Sequence, residues 1–346
     1  MTPPLDRRTF LGHSLAGLAV ASPALSSLAQ DAPAKPLRLG LVSAASYGAD
    51  GQARKSGSNH GTAFATVFNG FDEEKAKAFQ GTFVRATRRI EGAKVVKIWD
   101  PDKTAAAALA AACGIETVTD TPEQCSDGVD AVLIIDDGSG AQWKYAEAPL
   151  HKGIPTFCDK PLAMTAKEAA AVAKIARETG TKFMSASSLR FVPDIVKLKS
   201  ELTEIGPVHL STVVCGNELV YYGIHALSMA YAVLGKGAVS AINVGKPGTN
   251  IARIRFADDR DVVLMVADRE RIRGGYQINL YGEKGWLTVT PDLKDLYTYL
   301  LEAFLDLVLH GKESVPIEEE VELIAALEAA KRSLELGREV KLSEVY

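Results

Sequence analysis

Ile154-Pro155-Thr156-Phe157-Cys158-Asp159-Lys160-Pro161 is the stretch around which the rest of the chain can be organised. Ile154–Phe157 is a mostly apolar run and predicts a short buried strand. Lys160 then stands at the carboxyl end of that strand, beside Pro161, whose ring fixes the backbone. An amphipathic helix is expected from Ala166 to Glu178. In open α/β sheets the carboxyl edge of the strands is where ligands bind. A lysine at that edge is either a solvated charge or a proton donor aimed into a cleft, and the remainder of the chain decides between the two.

Upstream, apolar runs alternate with helical patterns. Strands are expected over Leu37–Val42, Lys94–Trp99, Glu116–Val118 and Val129–Ile135, and helices over Asn59–Asn69, Asp72–Ile90, Lys103–Cys113 and Gln142–His151. Such alternation predicts a parallel, doubly wound sheet. After about Leu189 the pattern changes. Strands are expected over Val208–Gly216, Ala238–Val244, Ile251–Phe256, Asp261–Val266, Tyr276–Tyr281 and Trp286–Val289, with a hairpin loop at Gly282-Glu283-Lys284-Gly285 and a helix at His225–Leu234. This reads as an α+β domain with a largely antiparallel sheet. Helices at Leu296–Leu309 and Glu318–Leu336 close the chain, and residues 296–346 are placed to pack back on the first domain.

The chain has 346 residues, 47% hydrophobic and 24% charged, with a net charge of −4 and no long basic run. That length suffices for two domains with their own cores, and the charge argues against nucleic acid as a partner. The cysteines, Cys113, Cys125, Cys158 and Cys215, lack metal-type spacing and are too few for a disulfide framework. No metal site is expected.

The first 29 residues read as a targeting segment. Asp6-Arg7-Arg8-Thr9-Phe10-Leu11 precedes an apolar stretch, Leu15–Leu25, and a small-residue cleavage pattern at Ser27-Leu28-Ala29. The paired arginines resemble a twin-arginine export signal. An ordinary secretion signal or an uncleaved anchor is the alternative. The expectation is a periplasmic or secreted protein, exported already folded, with no membrane attachment after cleavage.

Candidate site residues follow from the strand ends. Ser43, Ala44 and Ala45 follow the first strand; they are small enough for close approach of a phosphate, although the GxGxxG spacing is absent. The loop runs on to Asn59 and His60 at the next helix start, where free N–H groups face an anion. Asp100 ends the second strand, where a carboxylate accepts from ribose hydroxyls and repels a 2′-phosphate, favouring NAD over NADP. Asp136, before Asp137, ends the strand at Val129–Ile135. Each of these aspartates could equally be a turn or solvated residue, and the rebuilt loop could equally have lost the dinucleotide. His225 follows Tyr221-Tyr222-Gly223-Ile224, and histidine is the natural acid/base near neutral pH. Arg190, Asn217 and Tyr222 are the candidates to face substrate, and each could equally be a packing or surface residue.

Taken together, these pieces resemble the Gfo/Idh/MocA family of sugar and inositol oxidoreductases. The markers are strand Leu37–Val42, Asp100, Asp130-Ala131-Val132, Gly153 to Pro161, Arg190-Phe191, Gly223-Ile224-His225, Gly282–Gly285 and Ser333 to Gly337. The resemblance implies an N-terminal Rossmann domain with a parallel sheet, at 36–160, and a C-terminal substrate and oligomerisation domain, at 161–346, whose sheet often forms dimer contacts. It implies that Lys160 matches the family's Glu-Lys-Pro lysine, with Asp159 replacing the glutamate, and touches both nicotinamide and substrate. His225 matches the acid/base histidine. The departures are Tyr221 where an aspartate usually precedes the histidine, Ser228 after it, Ser43-Ala44-Ala45 in the glycine loop, Asp136-Asp137 for Thr-Pro, and Gln142 for a histidine. The expected activity is hydride transfer from a sugar or polyol to a tightly held NAD, with Lys160, His225 and Tyr221 as catalytic residues. Redox-neutral, NAD-dependent glycoside cleavage and non-catalytic carbohydrate binding are the alternatives.

Overall fold

The computed structural model describes residues 35–43, 59–79, 82–136 and 140–346. Its first half runs β1 (Leu37–Ser43), α1 (Asn59–Asn69), α2 (Glu73–Lys77), β2 (Ala93–Trp99), α3 (Lys103–Cys113), β3 (Thr117–Val118), β4 (Ala131–Ile135), α4 (Trp143–His151), β5 (Thr156–Cys158), α5 (Ala166–Thr179) and β6 (Phe183–Ser185). These strands form one sheet in the order β3-β2-β1-β4-β5-β6, with every neighbouring pair parallel. The order reverses between β1 and β4, the topological switch point where such sheets bind ligands. Every residue of β4 is buried, as expected for a strand covered by helices on both faces. β1 carries Gly40 for a steric reason: a Cβ there would lie 2.0 Å from the Cys125 carbonyl oxygen.

The helix expected over Asp72–Ile90 forms only as α2. Asp72 caps it, accepting from the backbone N–H groups of Glu74 and Lys75. Residues 82–90 instead lie along α1. The Val84 and Ala86 N–H groups donate to the hydroxyls of Thr62 and Thr66, each at 3.0 Å, and Ile90 N–H donates to the Val67 carbonyl at 3.0 Å. Two buried threonines one helical turn apart therefore hold as an extended segment a run whose apolar spacing alone suggests a helix. The strand β6 is an addition to the expected elements, so the parallel sheet continues past Lys160 for one more crossover.

The second half runs α6 (Pro193–Ile205), β7 (Val208–Gly216), α7 (Gly223–Leu234), β8 (Ala238–Asn243), β9 (Thr249–Phe256), β10 (Asp261–Ala267), β11 (Gln277–Gly282), β12 (Gly285–Val289), α8 (Leu296–His310), α9 (Ile317–Leu336) and β13 (Val340–Lys341). Its seven-stranded sheet has the order β12-β11-β7-β10-β9-β8-β13, antiparallel except for the β10–β7 pair. One face is buried under α7 and α9. The other leaves Leu210, Ile251, Tyr281 and Trp286 exposed. Residues 35–346 form one compact unit. The closing helices bind the halves together: Phe304 of α8 packs on Phe157 of β5 with ring centroids 5.6 Å apart, and Glu328 of α9 accepts from the Ala166 N–H at the start of α5. Among the described residues no helix is long and apolar enough to cross a membrane.

Candidate active site

Strand register assembles the site. Ser43 pairs with Ile135 and Val42 with Trp99, so Asp100 and Asp136 flank Ser43 one step beyond the ladders. Ile134 pairs with Cys158 and Cys158 with Ser185. Two residues further on, Asp136, Lys160 and Ser187 therefore come level. Asp100, Ser43, Asp136, Lys160 and Ser187 form a row along the carboxyl edge, and all five are buried.

The cofactor-side residues divide as follows. Asp100 Oδ1 accepts from the Asp102 N–H at 2.9 Å, so the aspartate shapes its own turn while standing at the strand edge. Asp136 Oδ2 accepts from the Ala141 N–H at 3.3 Å, and its carbonyl accepts from Gln142 Nε2 at 3.1 Å. Asn59 opens α1, a helix with no acidic residue in its first turn. Ala44 and Ala45 lie outside the described residues. His60 Nδ1 is 2.6 Å from Asp159 Oδ2, and its ring lies 4.9 Å from that of Tyr297 on α8. The Asp159 carboxylate, which stands where the family's glutamate is expected, is thus bonded to a histidine from α1.

Lys160 and His225 come together. The Lys160 ammonium lies over the rings of Tyr221 and Tyr222, 4.4 and 5.4 Å from their centroids, a placement in which the ring faces attract the cation. The Lys160–Pro161 peptide is cis. His225 sits in the first turn of α7, wedged edge-on against Tyr222 and Tyr276. Its Nδ1 lies 2.7 Å from the Ser187 hydroxyl. Nε2 has no protein partner among the described residues. Burial first, and then the neighbouring Lys160 and His60, hold its pKa well below the usual imidazole value of 6.5. His225 is accordingly neutral at physiological pH. In the tautomer that donates Nδ1–H to Ser187, Nε2 is the proton acceptor.

The remaining candidates separate. Tyr221 sits beneath Lys160 and is not the residue bonded to His225; Ser187 is. Tyr222 does border the site, and its hydroxyl accepts from Arg269 at 2.8 Å. Asn217 follows β7 in a left-handed conformation, φ 98°, with its N–H on the Ala267 carbonyl at 2.7 Å. Arg190 is drawn elsewhere, into a buried ion pair with Glu319 of α9. It lines a different cavity, with Lys199, Tyr231 and Glu319. Sequence reasoning misses Ser187, Tyr276 and the His60–Asp159 pair. Recognising Phe183–Ser185 as a strand would have placed Ser187 on the same edge as Lys160.

Residues 59–187 match the Gfo/Idh/MocA family model, described as an oxidoreductase family with an NAD-binding Rossmann fold. The chain is 33% identical over 122 residues to inositol 2-dehydrogenase 4 of Saccharopolyspora erythraea, covering 34% of this chain and 36% of that relative. This alignment therefore takes in about a third of the relative's length. To inositol 2-dehydrogenase of Rhizobium meliloti it is 24% identical over 309 residues, covering 72% of this chain and 92% of the relative. A crystal structure of myo-inositol dehydrogenase from Lactobacillus casei, in complex with NAD(H) and myo-inositol, superposes with a TM-score of 0.70. It is 16% identical and covers 88% of this chain and 96% of that chain. The superposition shows a shared fold, and residues 59–187 match the Gfo/Idh/MocA model, with inositol dehydrogenases among the proteins to which the chain is similar.

Proposed function

We propose that the chain is an NAD-dependent oxidoreductase acting on a CH–OH group of a sugar or polyol. The observation that carries this is the alignment of Asp100, Ser43, Asp136 and Lys160 on one sheet edge, with the neutral, oriented His225 facing Lys160 from the second half. The donor set fits a dinucleotide. A carboxylate at the end of β2 suits a ribose diol, and the acid-free N-terminus of α1 suits a pyrophosphate. Asp100 at this position disfavours a 2′-phosphate, which is the reason for NAD over NADP.

The nicotinamide, when bound, supplies the hydride acceptor. His225 takes the proton of the substrate hydroxyl at Nε2, while Ser187 keeps its ring in one orientation. Lys160 places positive charge beside the oxygen that gains electron density as the C–H bond breaks. Tyr221 and Tyr222 hold the ammonium in place from below and exclude water from its other side.

The test is dinucleotide binding and turnover with the purified protein. NAD(H) titration followed by tryptophan fluorescence should saturate. Substrate-dependent NADH formation should fall by about 10²- to 10⁴-fold in His225→Ala. Absence of dinucleotide binding would overturn the reading. Release of free sugar without net NADH would move it to redox-neutral glycoside cleavage, and ligand binding untouched by Lys160→Ala and His225→Ala would move it to a non-catalytic carbohydrate binder. Export rests on Arg7 and Arg8, which lie outside the described residues; it predicts periplasmic protein lost on Arg7→Lys/Arg8→Lys and NAD(H) copurifying with the mature chain. The exposed apolar face of the second sheet is where two copies would pair, and Trp286→Glu tested by light scattering checks that.

A further inference from the structure

The wall behind His225 borders a second space. A cavity of about 530 Å³ is lined by Tyr222, Tyr276, Arg269, Glu270, Arg273 and Leu293, among others. Tyr222 and Tyr276 are the two rings that flank His225, at 5.9 and 5.4 Å between centroids. A molecule in this cavity therefore touches the same two rings as the proposed proton acceptor. The loop between β10 and β11 supplies the charge. Arg271 pairs with Asp268 at 3.7 Å. Arg269 is fixed over Tyr222, its guanidinium 5.3 Å from the ring centroid and its Nη2 donating to the hydroxyl. Arg273 has no ion pair or hydrogen bond among the described residues, and Glu270, the carboxylate in the lining, pairs with neither arginine. Two guanidinium groups against one carboxylate leave the cavity wall positive.

A neutral polyol offers hydroxyls to these donors but no charge to match theirs. An arginine fork matches a carboxylate or phosphate through two parallel hydrogen bonds. We infer that the substrate carries an anionic group, seated in this cavity on Arg273 and Arg269, while the rest of the substrate extends past the Tyr222 and Tyr276 rings to bring its hydroxyl to His225 and Lys160. This rests on the dehydrogenase reading above and narrows its substrate class from sugars and polyols to sugar acids or sugar phosphates.

Calorimetric titration of the full-length protein, with and without saturating NADH, compares D-glucuronate, D-glucose 6-phosphate and D-glucose. At least one anion should bind about tenfold more tightly than glucose at low salt, a modest factor because Arg273 is exposed and screened. The advantage should shrink as NaCl rises. Arg273→Ala should bring the ratio to about one, whereas Arg271→Ala, which removes a guanidinium outside the lining, should leave it. A larger gain for glucuronate assigns a carboxylate, and a larger gain for the phosphate assigns a phosphoryl group. Glucose binding as well as both anions, neither anion binding, or a ratio unchanged in Arg273→Ala would overturn the inference. Failure of the dehydrogenase reading shows separately, as absent NADH binding, and the anion ratio is read in either case.

Discussion

Glu320 makes a pH-dependent stability term that can be isolated with one substitution. It lies in the first turn of α9, fully buried, with neither carboxyl oxygen hydrogen-bonded. Its neighbours are Arg190 and Glu319, which already pair with each other. An ionised Glu320 would leave two buried carboxylates to one guanidinium. Burial, above all, pushes its pKa from 4.5 to about 8; Arg190 opposes the shift and Glu319 adds to it. The sign follows from linkage. Below about pH 4.5 the group is protonated in both folded and unfolded chains and has no effect. Between 4.5 and about 8 the unfolded chain releases a proton that the folded chain retains, so stability falls as pH rises. Above 8 the full penalty is in place. At about 1.4 kcal/mol per pH unit the ceiling is about 4 to 5 kcal/mol. Glu320→Gln keeps the shape and removes the titration. Wild type and variant should melt together near pH 5, and the variant should melt several degrees higher at pH 8. A difference in Tm that is flat from pH 5 to 8 would refute the reasoning.

Three further outcomes follow from single contacts. Ser187→Ala removes the partner of His225 Nδ1 and should lower kcat about tenfold with little change in KM, with Ser187→Thr restoring part of it; a structural role alone would move Tm and leave the kcat-to-KM split untouched. Because His225 is held neutral, the acid limb of the kcat/KM profile should fall well below pH 6.5, and an acid limb centred at or above 6.5 would contradict the buried, Lys160-facing site. Gly40→Ala should destabilise the fold by about 1 to 3 kcal/mol or more, read by urea unfolding, because the new methyl meets the Cys125 carbonyl.

How much of this is legible in the chain depends on the range of the interaction. The parallel sheet is legible because β4 is a continuous apolar run, β1 and β2 are mostly apolar, and all three alternate with helical patterns, and β5 with α5 flags the edge on which Lys160 stands. The helix expected over Asp72–Ile90 fails because Thr62 and Thr66, some twenty residues upstream, compete for its backbone. β6 is three residues long, too short to show a period, and with it Ser187 is lost from view. Arg190 looks like a cleft residue until Glu319, 129 positions away, claims it.

The same distances change the chemistry read from the departures. A sequence reading looks four residues before His225 for a carboxylate and finds Tyr221. In three dimensions the position beside Nδ1 belongs to Ser187, and the nearby carboxylate, Asp159, is matched to His60. A carboxylate on Nδ1 would stabilise imidazolium and raise its pKa. A hydroxyl orients the ring without that charge, while burial and the Lys160 ammonium drive the imidazole neutral. The substitution therefore exchanges a base that binds its proton tightly for one that is ready to accept at lower pH and returns the proton more easily. Replacing Ser187 with aspartate should reverse this, moving the acid limb of the pH profile upward, and an unchanged limb in an otherwise active Ser187→Asp protein would show that Ser187 does not set the basicity of His225.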